Sequence, residues 1–124
     1  MDDLQSGPIV SHADAVYKGV VTDPETFGPL AAALVVRARR EGPAEALVVA
    51  LRAHAWAQRL ALHNAAAKTL LDEAAALAER HGLDRRLGEV LVSRIAVQQE
   101  LGDLRAAQRD ADRASRLLPV GDRS

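Results

Sequence analysis

The segment Gly82–Leu118 repeats the segment that starts at Gly42, forty positions earlier, without a gap. Gly82 falls on Gly42, Leu87 on Leu47, Leu91 on Leu51 and Gln98 on Gln58. Further along, Ala106 and Ala107 fall on Ala66 and Ala67, Asp112 on Asp72, Ala114 on Ala74 and Leu117 on Leu77. Most matched residues are small or apolar and recur at helical spacing, the pattern of one packing face used twice. Such a unit cannot bury its face alone, so the fold must stack like units against each other.

Each unit reads as a pair of helices. Asp23-Pro24 is a capping residue followed by proline at the first helical position, and Glu25 suits the positive helix end. Gly28-Pro29 argues that the regular helix starts only near Phe27–Leu30. It closes at "RARREG", where Arg37, Arg39 and Arg40 suit the negative end and Gly42 stops it. Further helices are expected over about Pro43–Leu60, Asn64–Arg80 (capped by Asn64 or His63), Asp84–Leu101 and Leu104–Leu118 (capped by Asp103). Connections of two to four residues make neighbours antiparallel. The reading is all-α with about five helices in residues 24–119, an irregular amino-terminal arm over 1–23 and a tail over 120–124. Composition agrees. Hydrophobic residues make up 48% but aromatics only 2%, Tyr17, Phe27 and Trp56, so Ala, Leu and Val must form the interior. Small side chains of this kind favour helices in close approach.

The same totals exclude several chemistries. The net charge is −1 and no helix offers a basic recognition face, so neither nucleic acid nor a membrane surface is an expected partner. There is no cysteine for disulfides, thiol nucleophiles or thiolate metal sites. His12, His54, His63 and His81 lack metal-ligand spacing, and no Gly-rich phosphate loop or G-x-S-x-G turn occurs. The expectation is a non-enzymatic protein with no cofactor and no metal. "MDDLQSGPIV" lacks the form of a signal peptide, and the apolar run "LAAALVV" is too short to span a bilayer, so a cytoplasmic location is expected.

The last unit resembles a tetratricopeptide (TPR) repeat. Gly102, Ala107, Ala114 and Pro119 fall at the spacing of that family's turn glycine, two packing alanines and closing proline. The period of forty is longer than the family's roughly 34 residues, and Leu62 stands where the turn glycine belongs in the earlier unit. More narrowly, "EALVVALRAHAWAQ" and "AERHGLDRRLGEVLVSR" resemble helical-repeat regions that precede CHAT (caspase-like) domains in actinobacterial proteins. The resemblance implies a short right-handed α-solenoid that binds a peptide or partner domain in a concave groove. A regulatory module beside a protease or signalling domain is the alternative it implies.

Carried across, the groove positions are Val49, Arg52, Trp56, Arg59 and Leu60 on one helix and Glu89, Val92, Ala96, Gln99 and Glu100 on another. The partner-binding candidates are Arg52, Trp56, Arg59, Val92 and Gln99. Arg52 and Arg59 lie two turns apart with Trp56 between them, an arrangement suited to a carboxylate-ended peptide. The other reading is that Trp56 fills space against the first helix while the arginines are solvated or paired. Arg94, on a largely apolar helix, either pairs with Asp110 or Asp72 or reaches the edge. Two and a half units are near the minimum for a stable stack, so self-association is a further expectation. The arm itself could occupy the groove, with Asp14 near Arg52 or Arg59.

Overall fold

The computed structural model describes residues 2–119, and the tail expected over 120–124 lies outside the described residues. Among the described residues there are six α-helices and no strand: α1 (Asp2–Thr22), α2 (Pro24–Glu41), α3 (Ala44–Leu60), α4 (Asn64–Arg80), α5 (Asp84–Leu101) and α6 (Leu104–Leu117). The all-α expectation stands, and the number of helices is six rather than about five.

The added helix is α1, which replaces the irregular arm expected over 1–23. Its buried residues are Ile9, Ala13, Val16 and Val20, a stripe with helical spacing. The stripe joins Ile9 to Val20 through Ala13 and Val16, a line that the polar residues between them hide in the sequence. Pro8 and Gly19 weaken the local helix signal, and burial against α2 and α3 overrides it.

α2 also starts earlier than Phe27. Asp23 Oδ1 accepts from the Thr26 amide at 3.3 Å and Pro24 opens the helix. Pro29 lies within it, and the buried face Ala31, Leu34, Val35 and Ala38 carries the helix past it. The other four helices lie where the sequence places them, within a residue. Asp103 caps α6 through the Ala106 amide at 3.1 Å. His63 stands at the start of α4 but makes no side-chain cap; its Nδ1 instead lies 2.9 Å from Gln58 Oε1.

α3 is the central helix, packed against α1, α2, α4 and α5. α4 also packs on α5, and α6 packs on α5. Leu51, Leu71, Leu91, Val20, Val48, Val90 and Val97 are fully buried between these helices, interleaved with alanines. The buried positions of α2 recur in α4: Ala31, Leu34, Val35 and Ala38 are followed forty residues later by the buried Leu71, Ala74, Ala75 and Ala78. α4 additionally buries Ala67. No helix of the described residues is long and apolar enough to cross a membrane.

Candidate partner-binding surface

α3 and α5 meet along a polar seam with three rungs. Arg86 Nε donates to Glu45 Oε2 at 2.8 Å, Arg52 Nε donates to Ser93 Oγ at 2.8 Å, and Arg59 pairs with Glu100. The α3 members are seven residues apart, and so are the α5 members. Two turns of helix return a side chain to nearly the same face, so the two helices present matching rows.

The candidate residues take up distinct positions along this seam. Arg52 is half-buried, and its guanidinium carbon lies 3.9 Å from the centroid of the Tyr17 ring on α1. Burial pushes the Arg52 guanidinium below its usual value, yet an arginine remains charged. Arg59 lies over the Trp56 ring, 4.6 Å from its centroid, and Trp56 packs partly against the hydrophobic core. Arg52, Trp56 and Arg59 thus share a face of α3, with α1 covering the Arg52 end. Val92 is exposed on α5 and shares a cavity of about 170 Å³ with Arg52, Arg85, Glu89 and Leu118. Gln99 is exposed one heptad further along the same helix.

Asp14 makes its hydrogen bonds with Arg86, and it stands near Arg52 only as a neighbouring charge. Arg86 Nη1 and Nη2 donate to Asp14 Oδ1 and Oδ2, both at 2.9 Å, and Nη1 also donates to Glu89 Oε1 at 3.1 Å. With Glu45, three carboxylates from α1, α3 and α5 converge on one guanidinium. Burial alone would lower the Arg86 value; its hydrogen bonds to Asp14, Glu45 and Glu89 outweigh it and hold the group above its ordinary value. Arg86 clasps three helices, and it borders an open cavity of about 540 Å³ that Lys18, Asp84 and Arg85 also line. Sequence reasoning passed over it. The i,i+3 spacing to Glu89 was visible, but the Asp14 contact spans 72 residues and depends on α1 being a helix.

Of the two readings of Arg94, pairing is the one the structure shows, and it engages both Asp110 and Asp72. Nε and Nη2 donate to Asp110 Oδ2 and Oδ1 at 2.7 and 2.9 Å, and Nη1 donates to Asp72 Oδ1 at 3.0 Å. The paired hydrogen bonds to Asp110 hold the guanidinium above its ordinary value against burial, with Asp72 adding to them. One residue therefore ties α4, α5 and α6 together. On α2, α4 and α6, Arg39 binds Glu73 at 2.5 and 2.8 Å and Arg113 binds Glu79 at 2.6 Å, each across 34 residues.

Leu118 folds back after α6 onto Gly88 of α5. A Cβ at Gly88 would lie 2.6 Å from Leu118 Cγ, so only glycine leaves room for this contact. Beside it, Val92, Ile95, Ala111, Ala114, Ser115 and Leu118 line a cavity of about 300 Å³ that is mostly apolar. Among the described residues no three acidic or histidine side chains converge in a way that could hold a metal ion. No protein-family model, no curated protein and no solved structure matches this chain.

Proposed function

We propose that the chain is a non-catalytic protein–protein interaction module, a short TPR-like α-solenoid that holds a peptide or partner domain along the α3–α5 seam. The observation that carries this reading is the forty-residue recurrence of the four buried positions of α2 in α4. A fold that repeats a packing face spends its sequence on a regular outer surface, the usual basis of binding in repeat proteins. The binding residues are Arg52, Trp56, Arg59, Val92 and Gln99. The cation of Arg59 over the Trp56 indole supplies both a charge for a peptide carboxylate and an apolar anchor.

Glu100 already neutralises Arg59, so an incoming carboxylate must displace it. That makes a direct test. A library of fluorescent peptides with acidic ends is screened against the full chain by anisotropy, at concentrations in the low micromolar range. Arg59→Ala should weaken a bound peptide about tenfold, and Glu100→Gln should tighten it. A screen with no Arg59-dependent binder, or binders indifferent to both substitutions, overturns the seam as the binding site.

A further inference from the structure

The last hairpin keeps the packing pattern of the earlier ones without the helix that covers them. In α2 and α4 the four repeated positions are buried. Their counterparts are Ala111, Ala114 and Ser115 of α6 and Leu118 just after it; Ala114 and Leu118 stay buried, while Ala111 is half-buried and Ser115 exposed. On α5 the difference recurs. Ala55 of α3 is fully buried, while Ile95 forty residues later is half-buried. Arg52 is half-buried beneath Tyr17, while its counterpart Val92 is 44% exposed. α5 packs on α3 and α4 in the corresponding place, and its buried residues include Leu87, Val90, Leu91 and Val97. The open seat is the apolar cavity bounded by Val92, Ile95 and Leu118. A terminal unit with no neighbour normally carries a polar outer face.

We propose that this seat is a self-association surface, in which a second copy of the chain lays its α5 antiparallel across it about a two-fold axis near Val92. The polarity of α5 fits that occupant. Its outward residues Arg85, Val92, Ile95 and Gln99 recur at heptad-like spacing, apolar in the centre and polar at both ends. Antiparallel pairing sets Val92 against Val92 and Arg85 of one copy beside Gln99 of the other, with Arg85 keeping Glu89 within 3.6 Å. The α6 rim, Arg109, Asp112 and Arg116, alternates in sign, and a net charge of −1 leaves little repulsion between copies. Head-to-tail stacking is disfavoured because α1 would have to enter the seat. Between Ser11 and Thr22 its exposed residues are Ser11, His12, Ala15, Lys18, Val21 and Thr22, of which Val21 alone is large and apolar. A two-fold contact uses one patch twice and closes at two copies.

The inference rests on the repeat reading and not on the peptide, and Arg59→Ala, which removes the charge proposed for the peptide, should leave dimerisation unchanged. The test is sedimentation velocity on the full chain from low to high micromolar concentration, with Val92→Asp and, as control, Val36→Asp. Val36 is 59% exposed on α2, at the other end of the molecule. The wild type and Val36→Asp should dimerise with rising concentration, and Val92→Asp should dimerise about a hundredfold more weakly, because a carboxylate would be buried at the axis. A wild type that stays monomeric, or a dimer that Val92→Asp leaves intact, overturns the proposal. The chain has no cysteine, so Val92→Cys adds a second readout. Mild oxidation should link two copies of Val92→Cys and not two copies of Val36→Cys, and equal linkage of both variants counts against the axis.

Discussion

The middle hairpin, α3–α4, and the last, α5–α6, follow one pattern but hold themselves together differently. His54 and Leu70 of the middle hairpin stand forty residues before Arg94 and Asp110 of the last. His54 Nδ1 is buried with no hydrogen-bond partner, while Arg94 makes three hydrogen bonds to two carboxylates. The middle pair is enclosed by helices on both sides, whereas α6 packs on α5 alone. Apolar contact suffices where neighbours exclude water. Where a neighbour is missing, directional charged hydrogen bonds set the register instead.

The largest effect should come from making the middle copy the end. Leu71 is fully buried and its counterpart is Ala111. Leu71→Ala should cost about 3 kcal/mol in urea unfolding, and Ala111→Leu, beside an open cavity, should change stability by less than about 1 kcal/mol. Equal effects would show that the two hairpins are enclosed alike. Next is the polar interior. Asp110→Leu should destabilise by about 2 kcal/mol, since it leaves Arg94 with Asp72 alone, and adding Arg94→His, which copies the middle hairpin, should recover much of that loss. Failure of the second change to recover any stability would mean the two interiors are not interchangeable solutions.

The hairpin turns give a smaller effect. Leu62 and Gly102 are equivalent turn residues, both left-handed, at φ 67° and 82°. Leu62 is 81% exposed, so its side chain gains little burial in exchange for its backbone strain. Leu62→Gly should raise stability by about 1 kcal/mol and Gly102→Leu lower it by a similar amount, read from the denaturation midpoint. The smallest effect is on pH dependence. Burial lowers the His54 value below 6.5, so between that lowered value and 6.5 the unfolded chain binds more proton than the folded one. Stability should therefore fall as pH drops below about 6.5, and His54→Gln should flatten that part of the profile. Arg94 stays protonated throughout and should contribute no such slope.

Much of this comparison was legible in the sequence, because the repeat, the Gly102-Asp103 turn and the Arg94 partners all follow from spacing within one or two hairpins. α1 was not legible, since its stripe is built from widely spaced Ile9, Ala13, Val16 and Val20 among polar residues and a proline. Losing α1 also loses everything that depends on it. The Asp14–Arg86 clasp and the Tyr17 ring over Arg52 join distant parts of the chain, and no local period predicts them. The candidate residues Arg52 and Arg59 could be placed on one face by their seven-residue spacing, but their engagement by Ser93 and Glu100 depends on how α3 and α5 align.

All three aromatic residues lie in the first half of the chain, Tyr17 on α1, Phe27 on α2 and Trp56 on α3. Intrinsic fluorescence and near-ultraviolet dichroism therefore observe that half alone, while far-ultraviolet dichroism observes every helix. With α6 packed on α5 alone and joined to α4 only through charged side chains, its loss should reduce the far-ultraviolet signal while the indole emission stays unchanged. The order in which the two signals decay on heating is thus a direct record of which end of the molecule opens first.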